Sequence, residues 1–243
     1  MSMSHSATQN GLVAALLPVE YDRMLPHLEL VPMPLGWIVH EAGRSQQYVY
    51  FPTTAVVSLQ CVSKSGASSV VAVTGNEGMV GTGALMGGDK TVNRSVVHSA
   101  GYAYRLHAGF IKKEFESASP LHQSLLRYAR ALMVQMAQTA ACNRYHTVEQ
   151  RYCRWLLSVF DRIGASDLRA THELIAEVLS VRREGITEIA GKLQKTGIIY
   201  SSRGHIVVID RLGMESLACE CYGVLKGELA RLLPSPYVEE FSF

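Results

Sequence analysis

Residues 171–197 read THELIAEVLSVRREGITEIAGKLQKTG, and their spacing predicts two short helices that cross at a tight turn. If His172 is position one of such a unit, Ala176 falls at position five, where a small side chain lets two helices approach closely. Ser180 falls at position nine, in the turn, where glycine is usual. The inward positions are then apolar: Ile175, Leu179, Val181, Ile186 and Ile189. The stretch therefore predicts a helix-turn-helix.

The segment that follows predicts a wing. Gly197 ends the second helix, and the short apolar runs at 198–200 (IIY) and 205–210 (HIVVID) are joined by 201–204 (SSRG), which is typical of a hairpin turn. A hairpin directly after the second helix of a helix-turn-helix is a wing. We expect Arg203, at its tip, to meet a DNA phosphate.

The charged residues at the start of the second helix suit the major groove of DNA. Arginine can bond guanine O6 and N7 together, and glutamate can accept from cytosine N4. We expect Lys192 to position the DNA backbone. The alternative is an ordinary solvated face, but the register of Ala176, the turn and the wing favours DNA. The predicted DNA-contacting residues are Thr171, His172, Arg182, Arg183, Glu184, Thr187, Glu188, Lys192 and Arg203.

The first half of the chain reads differently. Over 11–30 we expect short helices broken by Pro18 and Pro26. Runs rich in Val, Tyr and Thr then alternate with Gly, Ser and Asn, which predicts an antiparallel barrel or sandwich. The predicted strands lie at 48–51, 55–62, 68–74, 92–99 and 102–107. The fold class is therefore α+β.

A long helix is predicted from Pro120, in a stretch free of further Pro and Gly. A stripe at steps of three and four is typical of a two-stranded coiled coil: Leu126, Ala129, Met133, Met136, Ala140 and Asn143. Leu121, Leu125 and Leu132 form a second apolar face. We therefore expect a helix held between its own roll and a partner helix, with packing on the roll alone as the alternative. Thr147 and Gln150 fit a capping box, so a new helix should run from there to Gly164, with a hinge at the cap.

Bulk composition excludes several classes. The net charge of +2 is too small to mark a nucleic-acid binder, so any basic surface must be local. The 5 scattered cysteines suit reduced thiols in a cytoplasm, and Cys219 and Cys221 lack a second pair, so no metal site is predicted. We find no long apolar span, no secretory leader and no catalytic motif. The expectation is a cytoplasmic protein that is neither an enzyme nor a membrane partner.

With these motifs in place, the sequence resembles the Crp/Fnr family of bacterial transcription regulators over nearly its whole length. The most specific parts are 177–199 (EVLSVRREGITEIAGKLQKTGII) and 149–157 (EQRYCRWLL). The resemblance implies a β-roll sensor like a cyclic-nucleotide-binding domain (1–118), a dimerisation helix (119–146), and a winged helix-turn-helix with a C-terminal helical extension (147–243). It implies a homodimer on a near-palindromic double-stranded DNA site, with RNA polymerase and a small-molecule effector as further partners.

Site residues also follow from the resemblance. Arg183 and Glu184 match the family's base-reading Arg-Glu pair, while Glu188 stands where a third base-reading arginine is found, so the half-site should differ. The effector cassette would comprise Gly81, Thr82, Gly83, Arg94, Ser95 and Met136.

Several departures leave the effector and any cofactor unassigned. Thr82 replaces the ribose-binding glutamate, and Met136 and Ala137 replace a hydroxyl-bearing pair, so standard cAMP recognition is not expected. Arg94 could instead pair with a nearby carboxylate such as Asp89. No cysteine precedes Cys61, unlike the iron–sulfur branch. The alternative function is a ligand-binding module whose winged helix mediates protein contacts.

Overall fold

The computed structural model describes residues 5–87, 90–117 and 119–233. The described part begins with a 3-10 turn (Ala7–Gln9), which is followed by two short helices, α1 (Gly11–Ala14) and α2 (Pro18–Met24). Pro18 does not simply break a helix: it stands in the first turn of α2, where its fixed φ and missing amide hydrogen are tolerated. The end of the segment expected to be helical is instead the first strand.

Within the described residues, seven strands form the roll: β1 (Glu29–Met33), β2 (Ile38–His40), β3 (Tyr48–Pro52), β4 (Val56–Val62), β5 (Ser68–Thr74), β6 (Arg94–Ser99) and β7 (Gly101–His107). They make two antiparallel sheets, in the orders β1-β7-β3 and β2-β6-β4-β5. Met33 and Ala103 of the first sheet share a buried cluster with Val57 and Val97 of the second. The predicted strands and the α+β class are therefore confirmed.

Two helices follow the roll, α3 (Ala108–Glu116) and the long α4 (Pro120–Tyr145). One face of α4 is buried against the roll through Leu121, Leu125 and Tyr128. The predicted inward face is therefore confirmed at Leu121 and Leu125, and Leu132 is half-buried. The other face carries Leu126 and Met133, whose exposed fractions are 43% and 62%. Ala129, predicted on the same stripe, is instead buried, so the stripe is interrupted there. The long helix thus presents apolar side chains outward from this chain.

The C-terminal half contains α5 (Val148–Ile163), β8 (Asp167–Arg169), α6 (His172–Leu179), α7 (Arg183–Lys195), β9 (Ile199–Ser202), β10 (His205–Val208), α8 (Arg211–Leu217) and α9 (Cys221–Leu232). The predicted capping box of Thr147 and Gln150 starts α5, and Gly164 ends it with φ of 61°. The wing hairpin gains β8 as a third strand, in the order β8-β10-β9, which was not predicted. The expected single extra helix is two helices, and residues 234–243 lie outside the described part.

The two halves share one hydrophobic cluster. Val56, Val70 and Val73 of the roll lie in the same buried cluster as Trp155 and Val178 of the C-terminal half. In addition, α9 packs along α4. The helix-turn-helix is therefore held against the roll by direct packing as well as by the chain connection at Thr147.

Candidate DNA-reading surface and effector site

The turn between α6 and α7 depends on Ser180, which adopts the left-handed region with φ of 52°. Its amide donates to the Glu177 carbonyl at 3.1 Å, and the Val181 amide donates to the Ala176 carbonyl at 3.0 Å. Glycine is favoured in such a turn because it has no Cβ to crowd the left-handed backbone. The position-nine prediction is confirmed, with serine tolerating the strain.

The crossing of α6 and α7 is fixed by buried side chains. Ala176 is buried at the crossing, and Ile175, Ile186 and Leu193 are almost fully inaccessible. Val181 and Ile189 pack against the same cluster as partly buried residues. This packing makes α7 a rigid support for the side chains on its outer face.

The outer face holds five predicted DNA contacts, and all of them are at least partly exposed: Arg182, Arg183, Glu184, Thr187 and Glu188. Arg183 approaches Glu173 of α6 at 3.8 Å, but both side chains are well exposed, so this pair contributes little and leaves the guanidinium available. The start of α7 therefore presents both hydrogen-bond donors and hydrogen-bond acceptors, as contact with the edges of DNA bases requires.

Thr171 and His172 have structural partners within the unit. Thr171 caps α6, because its Oγ1 accepts from the Leu174 amide at 3.2 Å. Thr187 Oγ1 donates to the Arg183 carbonyl at 3.1 Å and lies 3.0 Å from His172 Nδ1. A hydroxyl has a single hydrogen, so Nδ1 of His172 is the donor to Thr187. Burial, and then the charge of Arg183, lower the pKa of His172.

The two predicted backbone contacts lie on α7 and on the wing. Lys192 Nζ binds both carboxylate oxygens of Glu149 at 2.8 and 2.7 Å, so part of its charge is used to join α7 to α5. Arg203 is exposed at the wing tip with φ of 49°, followed by Gly204 with φ of 77°. Two successive positive φ values give the tight turn that a two-residue hairpin loop needs. Arg203 is thus carried on a rigid tip.

The effector candidates from the roll surround the loop after β2. Gly81 has φ of 103°, and a Cβ there would lie 3.1 Å from the His40 ring. A Cβ on Gly83 would lie 2.9 Å from Gln46 Oε1, and Thr82 begins a short 3-10 turn. Gln46 in turn lies 3.3 Å from His40 Nδ1. The glycines permit this loop to approach the turn closely.

Arg94 pairs with a carboxylate of this same loop. Its Nε donates to Glu41 Oε1 at 2.9 Å, and this hydrogen bond lowers the pKa of Glu41. The carboxylate suggested from the sequence, Asp89, lies outside the described residues. Ser95, next to Arg94, is buried. An anionic ligand at Arg94 would have to compete with Glu41.

Met136 stands apart from the other effector candidates. It is half-buried on α4, and its neighbour Gln135 accepts from the Val73 amide of β5 at 3.1 Å. Since β5 is the edge strand and β4 separates it from β6, which carries Arg94, the long helix meets the sheet two strands away from that arginine.

Two polar clusters were missed from the sequence. His98 Nε2 lies 3.2 Å from Ser58 Oγ, and burial lowers the pKa of His98 to about 4. The second cluster comprises Cys142, His146, Cys219 and Cys221, whose donor atoms could hold a metal ion because all lie within 4.8 Å of one another. The sequence does carry a signal for this cluster: a Cys-x-x-x-His spacing on a predicted helix, followed later in the chain by a Cys-x-Cys pair.

The C-terminal half of the chain is similar in sequence to a known protein family. Residues 150–217 match the family model of the Crp-like helix-turn-helix domain. The chain carries a Crp-like helix-turn-helix. This Crp-like domain spans the described unit from α5 through α8. No curated protein sequence matches the chain.

Solved structures extend the likeness to most of the fold. FixK2 from Bradyrhizobium japonicum is 15% identical, with a TM-score of 0.68 over 79% of this chain and 98% of that one. A CRP/FNR-family transcriptional regulator from Thermus thermophilus is 20% identical, with a TM-score of 0.61 over 78% and 98%. The c-di-GMP responsive global regulator CLP of Xanthomonas campestris is 18% identical, with a TM-score of 0.60 over 77% and 96%.

These comparisons confirm the resemblance to Crp/Fnr regulators in two respects. The roll, long helix and C-terminal helix-turn-helix have the fold of those regulators, and the Crp-like domain is matched by sequence. Within the described ranges, no helix combines the length and the apolar character needed to cross a membrane.

Proposed function

We propose that the protein is a homodimeric transcription regulator that binds a near-palindromic double-stranded DNA site. The observation that carries the proposal is the start of α7, residues 182–188, which we call the reading turn. Its charged and polar side chains are exposed, while Ile186 lies in the buried helix crossing of a Crp-like domain. Such a turn can enter the major groove, where Arg183 reads guanine and Glu184 accepts from cytosine. Enzymatic activity is not part of this proposal.

DNA backbone contacts complete the interface. Arg203 projects from the wing tip toward phosphate, and Lys192 adds positive charge beside the reading turn while joined to Glu149. Thr171 and His172 hold the unit together and lie at its rim. Sequence is therefore read by 182–188, while the wing and Lys192 set the register on the duplex.

The dimer is proposed to form along α4. Leu126 and Met133 are exposed apolar residues on one stripe, continued by exposed Ala140 and half-buried Met136. Contact between two such helices would remove this apolar surface from water and place two reading turns side by side. Two recognition helices can then bind half-sites one helical turn apart.

The roll is proposed to bind a small-molecule effector, but not through the standard contacts that recognise cAMP. Gly81, Thr82, Gly83 and Ser95 border the loop after β2, and Arg94 is engaged by Glu41. A ligand that displaced Glu41 would free the 41–46 loop and could shift the C-terminal half against the roll, since the two share a hydrophobic cluster. Contact with RNA polymerase is part of the same proposal.

The DNA-reading role is tested by selecting sites from random duplexes and titrating the selected site against random sequence. Arg183→Ala should lose about 5- to 150-fold in affinity for the selected site, with little change on random duplex. Arg203→Ala should weaken both equally and reduce the salt slope by about one. Lys112→Ala, which removes an exposed charge on α3, is the matched control.

Two results would overturn the proposal. One is a purified protein with no preference over random duplex at moderate salt. The other is an Arg183→Ala variant that keeps its cellular function while Arg94→Ala abolishes it, which would favour a ligand-binding module acting through protein contacts.

Dimerisation is tested by sedimentation velocity. Met133→Glu, on the exposed stripe, should shift the protein to a monomer and weaken operator binding. Val92→Glu places the same charge at another highly exposed apolar position, and this variant should sediment as a dimer like the wild type. A wild-type protein that is monomeric both free and on its selected DNA site would contradict the proposed dimer.

A further inference from the structure

Four metal-ligand side chains converge where the long helix ends. Cys142 lies in the last turn of α4, and His146 is the residue that caps the helix. Cys219 lies on the short connection from α8 to α9, and Cys221 is the first residue of α9. All four donor atoms lie within 4.8 Å of one another, although the two pairs are separated by more than seventy residues of sequence.

The local backbone explains the convergence. Cys142 and His146 are four residues apart, so they lie on the same face of the helix. Before α9 begins, the chain is extended at Ala218, and Cys219 and Cys221 both turn toward that face. Cys142 Sγ is 3.5 Å from Cys219 Sγ, and Cys221 Sγ is 3.5 Å from His146 Nδ1.

These spacings suit one tetrahedral ion. Zinc bonds of about 2.3 Å to sulfur and about 2.0 Å to nitrogen hold neighbouring donors roughly 3.5 to 3.8 Å apart. An iron–sulfur cluster of four irons takes each ligand on a different iron and would need a wider cage. A disulfide has sulfur atoms about 2.05 Å apart and would leave the other two donors unused. We propose that Cys142, His146, Cys219 and Cys221 form a structural zinc site.

The surroundings of the cluster fit a metal site. His146 Nε2 lies 3.1 Å from Glu220 Oε1, so the carboxylate can hold the ring with Nδ1 aimed at the three sulfurs. Gln138 Nε2 donates to Cys221 Sγ at 3.1 Å. Partners of this kind orient first-sphere ligands and stabilise thiolate sulfur.

Charge and burial agree with this assignment. Three thiolates, a neutral imidazole and a divalent cation leave one net negative charge. Arg154 is a buried cation near enough to act electrostatically on the Cys142 and Cys219 thiols. The three cysteines are buried, so the four protein ligands close the site to solvent, as in structural rather than catalytic zinc centres.

The site would fix the joint between the long helix and the Crp-like domain. His146 is the last residue before the Thr147 cap of α5, so the ion would tie the end of α4 to α8 and α9 at the hinge itself. Metal binding is then part of the folding free energy of the C-terminal half. This inference concerns metal content and does not depend on the DNA-reading proposal.

The experiment begins with metal analysis of protein purified under reducing conditions without chelator, after growth with added zinc. Wild type and Cys61→Ser should each contain about one zinc ion per chain. Cys61 is an exposed cysteine outside the cluster and is the matched control. The double variant C219S/C221S should lose the ion.

A second measurement does not depend on variants that could misfold. Unfolded wild-type protein refolded with cobalt(II) should give the intense visible bands of a tetrahedral site and the near-ultraviolet thiolate charge-transfer bands. Zinc titrated in at one equivalent should abolish both.

Three outcomes would overturn the site. They are metal-free wild-type protein whose cobalt spectrum lacks thiolate bands, a zinc content unchanged in C219S/C221S, and a Cys142–Cys219 disulfide in protein purified anaerobically. Operator binding measured on the same samples reports on the DNA proposal separately.

Discussion

Arg162 of α5 donates its Nε hydrogen to Oε1 of Glu77 at 2.7 Å and thereby joins the C-terminal half to the roll. The side chains are only 7% and 16% exposed. The other carboxylate oxygen of Glu77 accepts from the Gly75 amide at 2.9 Å, and Arg162 Nη1 donates to the Ser158 carbonyl at 2.7 Å. Backbone groups on both sides therefore fix the pair in place.

Removal of one partner should cost far more than removal of a surface pair. Glu77→Ala leaves the guanidinium of Arg162 buried without its anion, so we expect a loss of about 3 to 5 kcal/mol in the free energy of unfolding. Glu29→Ala, which breaks the exposed pair with Arg105, should cost at most about 1 kcal/mol. Urea denaturation measures both, and equal losses would contradict the role of burial.

Gly78 is required by its contact with Tyr128. A Cβ at Gly78 would overlap the Tyr128 ring, which is buried and hydrogen-bonded through its hydroxyl to Thr74 Oγ1 at 2.9 Å. Gly78→Ala should therefore lower the free energy of unfolding by about 1 to 3 kcal/mol, as overpacking does. Gly227→Ala, in open space on α9, should instead stabilise by up to about 1 kcal/mol. A neutral Gly78→Ala would show that the ring can move away.

Ser180 predicts a stabilising substitution. Its left-handed backbone costs an L-residue roughly 1 kcal/mol that glycine does not incur, so Ser180→Gly should raise the midpoint of thermal unfolding. Ser117→Gly is the control, because Ser117 ends α3 with φ of −75° and gains nothing from glycine. If both variants lose stability equally, the turn carries no strain.

His98 predicts a dependence of stability on pH. Burial lowers the pKa of His98 from 6.5 to about 4. Between these values the unfolded chain binds the proton and the native state does not, so stability falls as pH decreases from 6.5 toward 4. The full loss from this residue is about 3 kcal/mol. His98→Gln should flatten the curve in urea denaturation across this range, and an unchanged slope would rule out His98 as the cause.

Local patterns predicted most of the fold. The helix-turn-helix was recognised because small, turn and apolar residues must recur at fixed steps, and the strands were recognised from alternation bounded by turn residues. β8 was missed because three residues are too few to show a period. The break at Pro18 was predicted, but its place in the first turn of α2 was not, because a proline that ends one helix can also begin the next.

The sites depended on contacts that sequence spacing does not encode. The pairing of Arg94 with Glu41 joins residues 53 apart, and the approach of Cys142 to Cys219 spans 77. Neither follows from periodicity, because each arises only when separate elements pack. The exposure of 182–184, 187 and 188 could be predicted in advance because these residues lie on a single helix, and their contacts with DNA stay a prediction.

The hydrophobic cluster shared by Val56, Val70 and Val73 with Trp155 and Val178 has a consequence for cooperativity. If the chain were cut near Thr147 and the halves separated, the C-terminal half would no longer cover the edge strand of the roll. The apolar face of that sheet would then be exposed to water. Each fragment alone would then be prone to aggregate, and the intact chain should melt in a single calorimetric transition.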